Sequence, residues 1–231
     1  MPANFILEKQ GPITTITFNR PERRNCLNAE VMRDFENLLH MVRDDRETHI
    51  LIVTGSGTAF CSGADLSVTQ VSDDKQQRRE FSREAGKRLP RLIGRAFDVI
   101  AHMDAITIGA INGYAVGGGW SLALAFDFCL AVEAAEFWVP EVDMKVPYRG
   151  APAQVLALRM GPWRAKEAIL ECRHYTATEL LSLGLINRIV KPEELMPAAH
   201  ELARTLAAKS PEALANSKRD INAVFFGQRL Y

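Results

Sequence analysis

The pattern of apolar and polar residues alternates between short strand-like runs and longer helical ones. Residues 5–8 and Ile13–Phe18 predict two strands joined by the turn Gly11-Pro12, and the second alternates its side chains between two faces. A helix follows, begun by the capping residue Asn28. Its apolar stripe consists of Val31, Phe35, Leu38, Leu39 and Val42. The chain thus opens with a hairpin and an amphipathic helix.

The same alternation continues to the carboxy terminus. Further strands are predicted at residues 50–53, Ile106–Ile111, Phe128–Val132, 137–139 and 186–190. Further helices are predicted at residues 120–126 and 163–172, from Thr176 (with Glu179 completing a capping box), and at residues 193–207 and Pro211–Phe226. Strands that alternate with helices and then give way to helices indicate an α/β domain with a helical carboxy-terminal section.

Two segments depart from this pattern. Residues 67–88 are highly charged, with little apolar periodicity before Leu89, and predict a mobile surface segment. Residues 105–126 carry no charge and are long enough to span a bilayer. Glycines and Asn112 interrupt that stretch, so a buried strand, a glycine turn and a buried helix are the favoured interpretation.

Composition and charge exclude several classes of protein. The 231 residues include 28 Lys+Arg and 28 Asp+Glu, and 47% are apolar, which rules out a disordered chain, a collagen-like chain and a basic nucleic-acid-binding tail. The four cysteines lie far apart and form no CxxC pair, so neither a metal site nor a disulfide framework is expected. No signal peptide is visible, and we expect a cytoplasmic protein with no nucleic-acid or membrane partner.

Two glycine-containing turns carry the candidate chemistry. They are residues 59–66 (AFCSGADL) and residues 112–121 (NGYAVGGGWS). Small residues let a ligand approach the backbone, and the start of a helix leaves N–H groups unpaired beside the positive end of its dipole. Two such turns together can offer two donors to one developing oxyanion. The alternative is that these glycines only allow a helix to pack closely on a strand.

With three further motifs, these turns resemble the enoyl-CoA hydratase/isomerase (crotonase) superfamily. The further motifs are NRPERRNCL at residues 19–27, PEV at residues 140–142 and ATELLSLGLINRIV at residues 177–190. The likeness runs from near residue 6 to about residue 225. It implies the α/β crotonase (ClpP/crotonase) fold, with a β-β-α spiral core at residues 1–190. Against the family, we expect the helical section at residues 191–231 to be shortened, and we expect a homotrimer or a dimer of trimers.

The resemblance also implies a site for an acyl-CoA. Coenzyme A is then part of the substrate, and no tightly bound cofactor or metal is expected. The thioester carbonyl lies between the backbone N–H groups of Ala64 and Gly118, which stabilise an enolate oxygen. Glu141 takes the acid/base position, and burial beside the acyl chain should raise its pKa. The alternative is that Glu141 is an exposed glutamate in a turn. The residues expected to contact coenzyme A are Arg23, Arg24, Cys26, Ala64, Asp65, Leu66, Gly117 and Gly118. For Arg23 and Arg24, a purely surface role is the alternative.

Two departures from the family bear on the reaction. Ser121 stands where the family often has a second glutamate, and a serine can position a water or a substrate oxygen but cannot act as a carboxylate base. In place of the usual glycine-rich turn, residues 145–152 read KVPYRGAP. The resemblance then implies that Tyr148 and Arg149 lie near the acyl end, and the alternative is that both are solvated surface residues. Asp127 is interpreted as a loop anchor rather than a reactive group.

One carboxylate suffices to move a proton between two carbons. Enoyl-CoA isomerisation is therefore the first expectation, and hydration with Glu141 as the single glutamate is the second. The glycine triplet, Ser121 and the lone downstream glutamate also resemble hydroxycinnamoyl-CoA hydratase-lyases. A hydratase-lyase, a decarboxylase and a non-catalytic acyl-CoA binder stay open as alternatives.

Overall fold

The computed structural model describes residues 4–66 and 88–226, in which the strands form two sheets. The strands are β1 (Phe5–Gln10), β2 (Ile13–Phe18), β3 (Ile50–Gly55), β4 (Ala59–Cys61), β5 (Ile106–Ile111), β6 (Tyr114–Val116), β7 (Phe128–Val132), β8 (Glu136–Trp138), β9 (Tyr175–Thr176) and β10 (Arg188–Val190). The α-helices are α1 (Ala29–Asp44), α2 (Leu89–His102), α3 (Gly118–Ala123), α4 (Ala151–Met160), α5 (Pro162–Leu170), α6 (Ala177–Ser182), α7 (Leu195–Ala207) and α8 (Pro211–Phe226). Two short 3-10 helices lie at Pro21–Arg23 and Pro192–Glu194.

The larger sheet has the strand order β1-β2-β3-β5-β7-β10. Strand β1 is antiparallel to β2, and all the other neighbours are parallel. Every residue of β5 is buried, as are five of the six residues of β3. Parallel strands covered on both faces need apolar side chains throughout, which explains the continuous apolar runs in the sequence.

The smaller sheet positions the candidate site. Its order is β4-β6-β8-β9, and β4, β6 and β8 run parallel to one another. Each follows directly on a strand of the larger sheet, so β3–β4, β5–β6 and β7–β8 repeat one β-β arrangement. Since β4, β6 and β8 are parallel, the turns that follow them leave the sheet at one edge. Those turns contain Ala64, Gly118 and Glu141.

Local signals in the sequence explain how the helices begin. The Asn28 side chain accepts hydrogen bonds from the N–H groups of Glu30 and Val31, and the predicted stripe of α1 is buried. Thr176 and Glu179 form the predicted capping box at the start of α6. Both helix starts are confirmed.

Several predicted boundaries were wrong. Helix α3 begins at Gly118 and ends at Ala123, whereas helix was predicted at residues 120–126. The helix starts early because Gly117, with φ +49° and ψ −112°, makes a turn that a residue with a side chain could not make without strain. Helix α5 ends at Leu170, β8 lies one residue earlier than predicted, β10 is shorter than the predicted strand, and α4 was not separately predicted. The charged segment at residues 67–87 lies outside the described residues.

The uncharged stretch at residues 105–126 is β5, β6 and α3, as the favoured interpretation had it. Across residues 4–66 and 88–226, no helix is long and apolar enough to cross a membrane. The proposed division of the chain at residue 190 stays a prediction.

Candidate active site

A cavity that is open to solvent lies at the edge where β4, β6 and β8 end. Its walls come from the turns after these strands, from the first turn of α2 and from residues 144–152. Apolar groups dominate, including Leu89, Ile93, Val116, Met144 and Val146. Such a lining suits an acyl chain and excludes much of the water around it.

Two backbone N–H groups reach this cavity from neighbouring turns. Beside Ala64, the Leu27 N–H donates to the Gly63 carbonyl at 2.7 Å and the Asp65 N–H donates to the Leu27 carbonyl at 2.8 Å. Leu27 therefore pairs with the Gly63 carbonyl and the Asp65 N–H, which lie on either side of Ala64. In such a parallel pairing the N–H of Ala64 itself faces away from Leu27. Gly118 is the first residue of α3, where a helix provides no partner for the N–H. Within the described residues neither N–H has a hydrogen-bond partner.

The two turns touch at their glycines. A side chain at Gly63 would lie 2.7 Å from the Val116 carbonyl oxygen and 3.7 Å from the Gly118 nitrogen. A side chain at Gly119 would lie 2.8 Å from the Cys61 side chain. The glycines therefore allow close packing, and the same closeness brings the Ala64 and Gly118 turns together. The two interpretations offered by the sequence are compatible.

Glu141 enters the cavity from the turn after β8. A side chain on Gly117 would collide with its carboxylate, so the carboxylate lies against the backbone of the glycine triplet. Its Oε2 atom is fully buried and has no hydrogen-bond partner among the described residues. Burial raises the pKa of Glu141 from 4.5 to about 7. The carboxylate predicted from the sequence thus lies in the cavity, and its pKa shift has the predicted direction and cause.

Ser121 and Tyr148 form a hydrogen-bonded pair of hydroxyls in the same cavity. The Ser121 Oγ lies 2.8 Å from the Tyr148 Oη and 3.0 Å from the Gly117 carbonyl oxygen. Burial, which the nearby Glu141 charge reinforces, raises the pKa of the Tyr148 phenol far above its usual range. Tyr148 therefore stays neutral at physiological pH. The sequence placed Tyr148 near the acyl end but did not predict its bond to Ser121.

A second, shallower pocket adjoins the cavity at Ala64, and charged residues lie on its rim. It is lined by residues that include Arg23, Arg24, Cys26, Asp65 and Leu66, all named from the sequence. The Arg23 guanidinium donates to the Asp65 carboxylate at 2.9 Å and 3.1 Å. Gly117 and Gly118 line the main cavity instead.

Arg20 was missed by the sequence reasoning. Its guanidinium donates to the Cys26 carbonyl oxygen at 2.9 Å and lies 3.8 Å from Asp65. Its place inside the NRPERRNCL motif was the signal that could have found it. Arg20 ties the turn at residues 19–27 to the rim on which Asp65 lies.

Asp127 lies outside both pockets, as its interpretation as an anchor requires. It accepts hydrogen bonds from the backbone N–H and the hydroxyl of Thr107, each at 2.8 Å, and pairs with Lys218 at 2.8 Å. The described part of the chain contains no group of three or more His, Cys, Asp and Glu side chains that could hold a metal ion.

Comparison with known proteins identifies relatives of this chain. A model of the enoyl-CoA hydratase/isomerase family matches residues 8–229. The short-chain-enoyl-CoA hydratase of Clostridium acetobutylicum is 32% identical over 220 residues, which cover 95% of this chain and 81% of that protein. The crotonyl-CoA hydratase of Syntrophomonas wolfei is 33% identical over 220 residues, with the same coverage of 95% and 81%.

Solved structures show the same relationship. A putative enoyl-CoA hydratase/isomerase family protein from Hyphomonas neptunium superposes with a TM-score of 0.86 at 30% identity, covering 98% of this chain and 84% of that one. An enoyl-CoA hydratase subunit from Geobacillus kaustophilus gives a TM-score of 0.83 at 29% identity, covering 97% and 83%. The chain has the crotonase fold and belongs to the enoyl-CoA hydratase/isomerase family of enzymes.

Proposed function

We propose that the protein moves a proton at the carbon next to the thioester of an enoyl-CoA, with Glu141 as the group that carries it. The observation that supports this most is the isolation of Glu141. It is the only carboxylate among the described residues that line the cavity, and its buried Oε2 has no partner. A pKa of about 7 makes its acid and base forms similarly populated near neutral pH, which suits proton transfer in both directions.

The thioester carbonyl would accept hydrogen bonds from the N–H groups of Ala64 and Gly118. When Glu141 removes a proton from C2 of a 3-enoyl-CoA, the electron pair moves onto the thioester oxygen. The resulting dienolate takes the proton back at C4 and becomes the 2-enoyl-CoA. This isomerisation uses one carboxylate and no second acid or base, in keeping with a serine at position 121.

Hydration of a 2-enoyl-CoA is the second candidate. It shares the enolate, the two N–H donors and the single proton carrier Glu141. Two observations favour it: the relatives named above are hydratases, and the Ser121–Tyr148 hydroxyl pair adjoins Glu141 in the cavity.

The coenzyme A portion would lie along the shallower pocket. Arg23 and Arg24 offer positive charge there for phosphate groups, and the backbone around Cys26, Asp65 and Leu66 borders the path into the cavity. Because the chain has zero net charge, binding would depend on these local groups rather than on an overall field. The homotrimer, or dimer of trimers, expected from the resemblance stays a prediction.

Incubation with saturated, 2-enoyl, 3-enoyl and aromatic acyl-CoAs, followed by mass analysis of the products, tests the proposal. Isomerisation leaves the mass unchanged and shifts the absorbance, and hydration adds the mass of one water. A cleaved fragment would indicate a lyase or a decarboxylase instead. Glu141→Gln should abolish turnover while acyl-CoA binding persists, and exposed Glu133 provides the matched control Glu133→Gln. Binding with no turnover of any acyl-CoA would identify a non-catalytic binder.

A further inference from the structure

We propose that Tyr148, held by Ser121, positions the water that adds to C3 of a 2-enoyl-CoA, a role that rests on the proposed function of Glu141. The site would then be a hydratase with one carboxylate, in which a neutral phenol stands in for a second carboxylate as the water's hydrogen-bond acceptor. Tyr148 would be a positioning residue and Glu141 the proton carrier.

The directions of the hydrogen bonds leave the Tyr148 oxygen free to accept. Ser121 has one hydroxyl hydrogen, and the Gly117 carbonyl oxygen at 3.0 Å can only accept it. The 2.8 Å bond between the two hydroxyls then needs Tyr148 as its donor. With its hydrogen committed to Ser121, the phenol can offer only lone pairs to a third group. A donor such as water is therefore the group that it can bind.

Burial and charge give Tyr148 and Glu141 different roles toward this water: Tyr148 accepts a hydrogen bond, and Glu141 accepts a proton. The Tyr148 phenol resists ionisation because it is buried near the Glu141 carboxylate, so it accepts a hydrogen bond without exchanging protons. The Glu141 Oε2 is buried and has no hydrogen-bond partner within residues 4–66 and 88–226, and its carboxylate can take a proton. Both side chains line one cavity. A water there can donate one hydrogen to each.

The resulting step balances without any further reactant. Glu141 takes a proton from the water as the water oxygen bonds to C3. The electrons of the C2–C3 double bond move onto the thioester oxygen, which the Ala64 and Gly118 N–H groups stabilise. The enolate then collapses, and C2 takes the proton from Glu141. One water has been added across the double bond, and Glu141 has returned to its starting charge.

Two reactions of the same site separate water positioning from proton transfer. The first is hydration of a four-carbon 2-enoyl-CoA, which is measured as the loss of absorbance of the conjugated double bond. The second is exchange of the C2 hydrogens of a four-carbon saturated acyl-CoA in D₂O, which needs Glu141 and the two N–H donors but adds no water to the substrate. We expect Tyr148→Phe to slow hydration about 100-fold and to change exchange less than about threefold. Ser121→Ala should slow hydration about tenfold, because it frees the phenol to rotate.

The control for loss of a buried phenol is Tyr175→Phe, since Tyr175 is buried outside both pockets. It should hydrate at the wild-type rate. The inference is overturned if Tyr148→Phe hydrates at the wild-type rate, or if it slows exchange as much as hydration, which would indicate a structural role. Wild-type protein that exchanges hydrogen but adds no water would overturn the inference alone. Wild-type protein that does neither would overturn the proposed function as well.

Discussion

Two carboxylates with little exposure to solvent have opposite surroundings in this protein. Asp127 accepts two hydrogen bonds from Thr107 and pairs with Lys218 at 2.8 Å, so it has both neutral donors and a counter-charge inside the fold. Glu141 lies in an apolar cavity, its buried Oε2 has no partner in the part of the chain that the structure describes, and its pKa is raised to about 7. Both groups are acids with little contact with water. The presence or absence of partners, more than burial itself, separates the anchor from the group that can move a proton.

The largest expected effect is on turnover and comes from removing the acid at position 141. Glu141→Gln should slow proton transfer about 10³-fold or more, because no second carboxylate lines the described cavity to replace it. Steady-state rates on the substrate identified by mass analysis measure the loss. Asp127→Asn should leave the rate per folded molecule within about threefold, since Asp127 lies outside both pockets. Equal losses of turnover in the two variants would contradict the assignment of Glu141 as the proton carrier and of Asp127 as an anchor.

The converse effect, on stability, should come from Asp127. Asp127→Asn leaves the buried Lys218 ammonium without its counter-charge and should lower the free energy of unfolding by about 3–5 kcal/mol. Urea unfolding followed by circular dichroism measures this difference. The exposed pair between Arg219 and Asp104 is the control, and Asp104→Asn should cost less than about 1 kcal/mol. A similar cost for both variants would mean that the buried pair is not an anchor.

The raised pKa of Glu141 should also appear in the pH dependence of stability. The folded state, with a pKa of about 7 against 4.5 for the free side chain, binds the proton more tightly than the unfolded state. Wild-type stability should therefore fall by about 3 kcal/mol relative to Glu141→Gln as pH rises from 4.5 through 7. Urea titrations of both proteins between pH 5 and pH 8, a window set by that shift, measure the difference. A constant difference across this range would contradict the raised pKa.

A smaller effect is expected when the Glu141 carboxylate is displaced rather than removed. The methyl group introduced by Gly117→Ala would collide with that carboxylate. It would also strain the backbone at position 117, where φ is +49°. Turnover should fall about 30-fold, which corresponds to about 2 kcal/mol. Gly11→Ala is the control for strain alone, because Gly11 has φ +59° and open space around it. Gly11→Ala should keep the wild-type turnover, and loss of turnover in both variants would contradict the displacement.

The smallest effect should come from the rim of the shallower pocket. Arg23 is exposed and is already bonded to Asp65, so Arg23→Ala should raise KM for the CoA ester about two- to fivefold and leave kcat unchanged. Initial rates at several substrate concentrations separate the two constants. A fall in kcat would place Arg23 in the chemistry rather than in binding.

Local signals in the sequence were enough to predict much of the fold. Alternation, apolar runs and the caps at Asn28 and Thr176 predicted strands and helices that the structure confirms. The start of α3 was missed, since glycine has weak preferences and the conformation of Gly117 depends on its surroundings. The first turn of α2 was not recognised as a cavity wall, although it begins at the Leu89 singled out from the sequence.

The candidate site was less accessible to local reasoning. Glycine spacing suggested N–H donors, but the choice of Ala64, Gly118 and Glu141 came from the family resemblance. The bond between Ser121 and Tyr148 joins positions 27 residues apart and depends on the path of the loop after β8. The partners of Asp127 likewise come from distant elements, since Lys218 lies on α8. Which carboxylate is isolated and which is paired is a property of the tertiary structure.

The most direct test of the role of Glu141 is the rate at which the C2 hydrogens of a saturated acyl-CoA exchange with D₂O as the pH is varied. The ionised carboxylate is the base, so the exchange rate should be low in acid, rise with an apparent pKa near 7, and level off above it. Glu141→Gln should show no such rise and exchange at least about 10³-fold more slowly. Exchange in Glu141→Gln at the wild-type rate, with the same pH profile, would contradict the assignment of the proton carrier.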